Sequence, residues 1–185
     1  MDAKAAKHRY VMVIDPRNCL GCEACVVACK AENGVPVGET RNWVTQKEQG
    51  RYPAVSVQIE PGQCMQCANP PCVRVCPTGA SYVDQDGLVL VNPDNCIGCR
   101  YCVEACPYEA RYFHEESGTV DKCTFCRHRI DQGLEPACVT TCPTKVRLFG
   151  DALDPNSEVS KALDRNRVEV RKKEAGTEPK VYYLS

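Results

Sequence analysis

Residues Cys96 to Pro107 read CIGCRYCVEACP. Two residues separate the first and second cysteines, two the second and third, and three the third and fourth, and a proline follows. Three thiols on one tight loop suit several corners of a single polynuclear site better than half of a tetrahedron. Outward from this stretch the same opening and closing spacings recur. The 16 cysteines divide into four sets of four with none left over. Group one is Cys19, Cys22, Cys25 and Cys29 in CLGCEACVVACK, and group two is Cys64, Cys67, Cys72 and Cys76 in CMQCANPPCVRVCP. Group three is Cys96, Cys99, Cys102 and Cys106, and group four is Cys123, Cys126, Cys138 and Cys142 in CTFCRHRIDQGLEPACVTTCP. Each keeps a C-x-x-C opening and a C-x-x-x-C close, while the middle gap runs from two residues to eleven.

A repeat surrounds groups two and three. TGASYVDQDGLVLVNPDN alternates apolar and polar residues about an Asp86-Gly87 turn and reads as a hairpin, and YEARYFHEESGTVDK reads likewise with Ser117-Gly118 at its turn. Upstream, AVSVQIEPG places Val55, Val57 and Ile59 on one face of an expected strand. The stretch 30–53 reads as an irregular insertion, and its Trp43 as a core or interface residue. Beyond Gly150, Asn156 or Ser157 is the expected cap of a short helix, SEVSKALDR, followed by strand-like VEV and KVYYL. That tail is expected to serve as packing or docking surface.

Composition narrows the class. The chain has 185 residues, and 43% of it is hydrophobic only because cysteine is counted there, so something bound by cysteine is expected to supply part of the stability. A net charge of -1, with acids and bases interspersed, leaves no electrostatic footprint for nucleic acid. No segment is long and apolar enough to cross a bilayer, and MDAKAAKHRYVMVID has neither the apolar h-region nor the cleavage site of an export signal. The sequence contains no G-x-S-x-G, P-loop, H-E-x-x-H or dinucleotide fingerprint. His8, His114 and His128 are scattered and read as surface or structural residues. The expectation is therefore a non-catalytic protein.

Three chemistries compete for the cysteines. A disulfide scaffold requires an oxidising address, and such frameworks rarely repeat one dense spacing four times. A zinc module takes two C-x-x-C pairs separated by a longer loop, whereas groups one and three place a third cysteine only two residues on. The C-x-x-C-x-x-C-x-x-x-C-P run is the bacterial ferredoxin spacing, in which the fourth cysteine ligates the other cluster of a pair. Groups two and three, with the hairpin between them, form one contiguous two-cluster unit, so groups one and four are left to pair across it. Crossing the fourth ligands gives four 4Fe-4S clusters. Their ligand sets are Cys19, Cys22, Cys25 with Cys142; Cys123, Cys126, Cys138 with Cys29; Cys64, Cys67, Cys72 with Cys106; and Cys96, Cys99, Cys102 with Cys76. The fold class is then α+β: two pseudo-symmetric two-cluster ferredoxin-like units, one inserted in the other, with short helices, β-hairpins and much loop. The expected units are 1–60 plus 113–150, the insert 61–112, and an extension 151–185. All four sets are complete, so no iron is left open for substrate. Arg100 in group three stands where group one has Glu23, which favours the higher reduction potential at group three.

QCANPPCVRVCPTGAS, DGLVLV, CPYEARY, DKCTFCRHRI, PACVTTCPT and FGDALDP, taken with the four groups, resemble the four-cluster iron-sulfur subunit of dimethyl sulfoxide reductase-family molybdopterin oxidoreductases, most nearly the polysulfide or thiosulfate reductase type. The resemblance covers essentially the whole chain and says little about substrate. It implies a relay between a molybdenum or tungsten pterin catalytic subunit and a quinone-handling membrane subunit. The cluster on Cys19, Cys22, Cys25 and Cys142 is expected at the catalytic end, and that on Cys96, Cys99, Cys102 and Cys76 nearest the membrane subunit. It also implies a peripheral place in a membrane complex, on the periplasmic face through co-export with the catalytic partner. Group one departs from the other three in ending Cys29-Lys30 without proline. The alternatives are a cytoplasmic ferredoxin-like carrier or subunit serving formate dehydrogenase or hydrogenase, and a structural zinc module.

Overall fold

The computed structural model describes residues 7–185; the first residues of the N-terminal stretch read for an export signal, 1–6, lie outside it. The chain opens with strand β1 (Tyr10–Ile14) and helix α1 (Ala24–Asn33), followed by strands β2 (Asn42–Arg51) and β3 (Ala54–Gln63). Next come α2 (Pro71–Arg74), β4 (Ser81–Val83), β5 (Val89–Val91), α3 (Tyr101–Glu104), β6 (Arg111–His114) and β7 (Thr119–Lys122). The last third holds α4 (Arg127–Ile130), α5 (Ala137–Thr140), β8 (Arg147–Asp151), α6 (Glu158–Arg165), β9 (Val168–Glu169) and β10 (Val181–Leu184). The architecture is α+β, with single-turn helices beside the cysteines and small sheets between them.

Cys-Pro sets the helix lengths. Pro77, Pro107 and Pro143 follow the closing cysteines of groups two, three and four, and α2, α3 and α5 each stop after four residues. Proline lacks the N–H that a helix would need there, and it turns the preceding residue toward extended backbone. Group one has Lys30 instead, and α1 runs on for ten residues to Gly34. There the backbone is left-handed (φ 58°) and the glycine N–H caps Lys30 O. The missing proline thus becomes a longer helix.

Strand β1 is the centre of the molecule. Val11, Met12, Val13 and Ile14 are all fully buried, because the strand is covered on both faces. Met12 and Ile14 face the cysteine-lined core with Phe125, Leu88 and Tyr183, whereas Val11 and Val13 face Val159 of α6. Sheet order is β8-β1-β10-β9, with β1 antiparallel to β8 (Tyr10 opposite Asp151) and parallel to β10 (Met12 opposite Val181). The expected helix forms, its side-chain cap supplied by Ser157 Oγ to Ser160 N.

Both expected hairpins form, β4–β5 about Asp86-Gly87 and β6–β7 about Ser117-Gly118. The insertion 30–53 differs from its reading as irregular: its second half is β2, paired with β3 over ten residues from Asn42–Gln63 to Arg51–Ala54. NWVTQKEQGR lacks alternation because the outer part of the hairpin projects into solvent on both faces. Its base is anchored where Trp43 lies over Gly62, since a Cβ on that glycine would come within 2.3 Å of the indole nitrogen. The segment 151–185, expected as an extension and packing surface, supplies β9 and the central β10 to the main sheet. A division at 112/113 would fall inside β6, and one at 150/151 inside β8.

Candidate iron-sulfur relay

Helices pack in the pairs that the repeat implies: α1 against α5, and α2 against α3. Cys25 and Cys29 are four residues apart on α1 and so share a face toward α5, with its Cys138 and the following Cys142. Three separate cavities result, each lined by three cysteines of one group and the closing cysteine of another. Cys19, Cys22, Cys25 and Cys142 line one of about 330 Å³, with Val44, Pro61 and Arg147. Cys123, Cys126, Cys138 and Cys29 line one of about 280 Å³, with Met12 and Phe125. Cys96, Cys99, Cys102 and Cys76 line one of about 310 Å³, with Ile97 and Val120. The remaining four also adjoin, for the thiol of Cys67 has Cys64, Cys72 and Cys106 as its charge neighbours.

The quartets stand in a row. Cys138 of the second neighbours Cys25 of the first, Cys123 of the second neighbours Cys64 of the third, and Arg111 touches the electrostatics of both Cys72 of the third and Cys102 of the fourth. Cys22 and Cys99, in the two end quartets, are exposed, whereas Cys64, Cys67, Cys72, Cys123, Cys126 and Cys138 of the middle pair are buried. Exposed apolar side chains flank each end, Leu20 and Val27 beside group one and Ile97 and Tyr101 beside group three.

The thiols differ with their surroundings. Burial pushes Cys138 up to about 12, Cys67 to about 12 and Cys29 to about 11, and lifts Cys72 and Cys123 as well. Cys76 and Cys142 go the other way. Burial works against their ionised forms, but backbone N–H groups of Ser81 and Val146 donate to the two sulfurs at 3.3 Å, and Thr78 and Thr144 lie beside them, leaving both below the ordinary thiol value. The repeated Cys-Pro-Thr turn creates this donor set.

Cations lie among the quartets. Arg147 and Lys122 are 1% exposed and Arg111 5%. Arg111 donates through Nη2 to Cys72 Sγ at 3.0 Å and through Nη1 to Ser81 Oγ at 2.8 Å, yet its Nε has no partner. Arg147, which lines the first quartet's cavity, donates through Nη1 to Gln63 Oε1, and its Nη2 has no partner. Burial opposes the charge of both guanidiniums, and the adjoining cysteines outweigh it, holding both above the ordinary value. Lys122 Nζ donates to the carbonyls of Val89 and Cys123, the latter at 2.7 Å.

These features fit a 4Fe-4S cluster in each quartet. The donors are soft thiolates, four cysteines converge on each of the three cavities among apolar and polar side chains, and the orphaned guanidinium N–H groups are suited to an anionic group. A single zinc ion would draw four sulfurs to about 2.3 Å. Among the described residues no three His, Cys, Asp or Glu side chains are placed to hold one metal ion. The histidines have local partners: His8 with Asp151 at 2.8 Å, His128 with Glu32 at 2.7 Å, and His114, whose Nδ1 accepts from Ser117 N. Sequence reasoning missed the buried cations. Their one signal is that Arg111 and Arg147 each follow the closing cysteine of a group by the same offset, in CPYEAR and CPTKVR.

Comparison with known proteins points the same way. Residues 55–152 and 18–80 match 4Fe-4S dicluster domain families. The chain is 46% identical over 183 residues to a subunit of the tetrathionate reductase of Salmonella typhimurium, covering 96% of this chain and 73% of that one. It is 45% identical over 179 residues to a component of the polysulfide reductase of Wolinella succinogenes (95% and 94%), and 40% identical over 210 residues to a subunit of the selenate reductase of Mesobacillus selenatarsenatis (96% and 72%).

Proposed function

Because the chain belongs to the 4Fe-4S dicluster iron-sulfur subunits of molybdopterin oxidoreductases, we propose that its four quartets form one electron relay between two partner subunits. The chain is an electron-transfer subunit carrying four 4Fe-4S clusters, not a catalytic one. The observation that carries the relay is the row of quartets with exposed ends and a covered middle. The ligands are Cys19, Cys22, Cys25 and Cys142; Cys123, Cys126, Cys138 and Cys29; Cys64, Cys67, Cys72 and Cys106; and Cys96, Cys99, Cys102 and Cys76. When bound, such a cluster takes up and gives back one electron with every iron closed by thiolate. The chain itself holds the sites in line, keeps water from the inner two, and supplies donors to the sulfurs.

The first quartet faces a molybdenum or tungsten pterin catalytic subunit, and the fourth a quinone-handling membrane subunit. Exposed apolar side chains at both ends support two docking surfaces. The described residues contain no helix long and apolar enough to cross a membrane. The chain is peripheral in a membrane-associated complex, on its periplasmic face through co-export with the catalytic partner. Two measurements test this. Anaerobically purified protein should contain about sixteen iron and sixteen sulfide per chain, four of each per cluster; zinc in place of iron would overturn it. Fractionation should find the chain outside the cytoplasm only when the catalytic partner is expressed with it.

A further inference from the structure

Arg147, Lys122 and Arg111 have no carboxylate within 4.0 Å among the described residues. Half-buried arginines nearby do: Arg41 pairs with Asp121 at 2.8 Å, and Arg127 with Asp86 at 2.9 Å. A cation held out of water without a counter-charge is strongly destabilising, so a fold that keeps three of them must offset the charge another way. Their positions say how. Arg147 lines the first quartet's cavity beside Cys25 and donates to Gln63, which lines the second's with Cys138. Lys122 lies between the second and third, bonded to Cys123 O and to the carbonyl of Val89, which packs in one cluster with Cys72. Arg111 lies between the third and fourth, on Cys72 Sγ and near Cys102. Each junction of the row has one buried cation.

We propose that these three residues are junction cations, each holding up the reduction potentials of the two clusters it separates and screening one reduced cluster from the next. The inference rests on the four-cluster reading. A cluster bound by four thiolates is an anion, and each added electron adds negative charge, so a fixed cation shared by two neighbours favours reduction of both. In a low-dielectric interior that attraction is several times stronger than at the surface. Without the shared cation, an electron on one cluster would repel the next electron more strongly, and potentials along the row would fall and spread.

The test is a redox titration, followed by electron paramagnetic resonance, of the iron-loaded full chain in wild type, Arg147→Met, Lys122→Met and Arg111→Met, with Arg147→Lys and Arg111→Lys as charge-preserving controls. Iron and sulfide are measured first; failure to find iron in wild type would sink the four-cluster reading itself. With iron at the wild-type level, each methionine variant should lower the potentials of its two flanking clusters and leave the remote two in place, and the lysine variants should restore them. Unchanged potentials, or an equal shift of all four clusters, would overturn the proposal. Should the methionine variants fail to hold iron, Arg147→Gln, Lys122→Gln and Arg111→Gln, which remove the charge but keep a hydrogen-bonding side chain, take their place: lowered potentials at the two flanking clusters support the proposal, and unchanged ones refute it.

Discussion

Cys142 shows how far apart in sequence one site can be. It lines a cavity with Cys19, Cys22 and Cys25, whereas its own segment's Cys123, Cys126 and Cys138 line another. Cys142→Ser should therefore abolish the paramagnetic signal that Cys19→Ser abolishes, and spare the one lost in Cys123→Ser. The opposite pattern would mean that the crossing is wrong. The cysteine sets were legible because thiol spacing is a direct chemical signal. The cations were not, because arginine and lysine are ordinarily surface residues and nothing in a sequence states that Lys122 is buried. Glu23 and Arg100 were legible as equivalent positions, and both adopt left-handed backbone before their helices (φ 56° and 62°). Arg100 is exposed, with its guanidinium 3.8 Å from the Phe113 ring centroid. A unit charge 4 Å away acts with roughly 1 kcal/mol in water but roughly 4 kcal/mol at an effective dielectric of 20. Arg100→Gln should lower the potential of the Cys96 cluster, and Glu23→Gln raise that of the Cys19 cluster, both by less than Arg111→Met shifts its neighbours. Titration of the variants side by side measures that order.

Elements were legible where pattern and burial agree. The hairpins β4–β5 and β6–β7 have alternation and turn glycines, whereas β2 becomes a strand only because β3 offers it a partner, a tertiary effect that a polar sequence does not announce. The tail was legible as helix and strands but not in its place. Val181, Tyr183 and Leu184 of β10 are buried beside β1, and Tyr183 donates to Pro61 O at 3.0 Å. Val181→Ala should cost about 2 kcal/mol in denaturation of the iron-loaded chain. Ending the chain at 176 should abolish iron retention, since β1 loses its parallel neighbour along one edge, from Met12 to Ile14. The opposite edge of β1 offers a pH test. Asp151 at the end of β8 is pushed up by burial, but the N–H groups of Leu153 and Arg9 and the ring of His8 outweigh this and leave its carboxyl below the ordinary value. A depressed carboxyl stabilises the fold above its unfolded value, and that contribution is lost as pH falls through the folded one. Asp151→Asn should thus be less stable than wild type at neutral pH, and the gap should close as acid protonates Asp151. Denaturant midpoints of the two proteins across that range measure it; a constant gap would refute the linkage.

The molecule as a whole has one main core, and part of that core is the set of sites. Cys64, Cys67, Cys123 and Cys138 pack in a single cluster with Met12, Ile14, Leu88, Phe125 and Tyr183, so side chains from all parts of the sequence meet there. Take iron and sulfide away and three penalties arise together. Thiols such as Cys67 and Cys138, pushed up to about 12, take up protons at neutral pH. The buried charges of Arg111, Lys122 and Arg147 lose their counter-charge. The cavities of about 280, 310 and 330 Å³ lose whatever tied their walls together. Each wall belongs to at least two distant segments, so loss at one site loosens the frame of the next. Folding and cluster assembly are accordingly one process. Anaerobic removal of iron by a strong chelator at neutral pH should abolish near-ultraviolet circular dichroism and cooperative unfolding together, in one step for both halves of the protein. Reconstitution with iron and sulfide should restore both signals and release protons, because the raised thiols must ionise to bind. An iron-free protein that kept its native dichroism and sedimented as a compact particle would show that the aliphatic residues around β1 suffice alone.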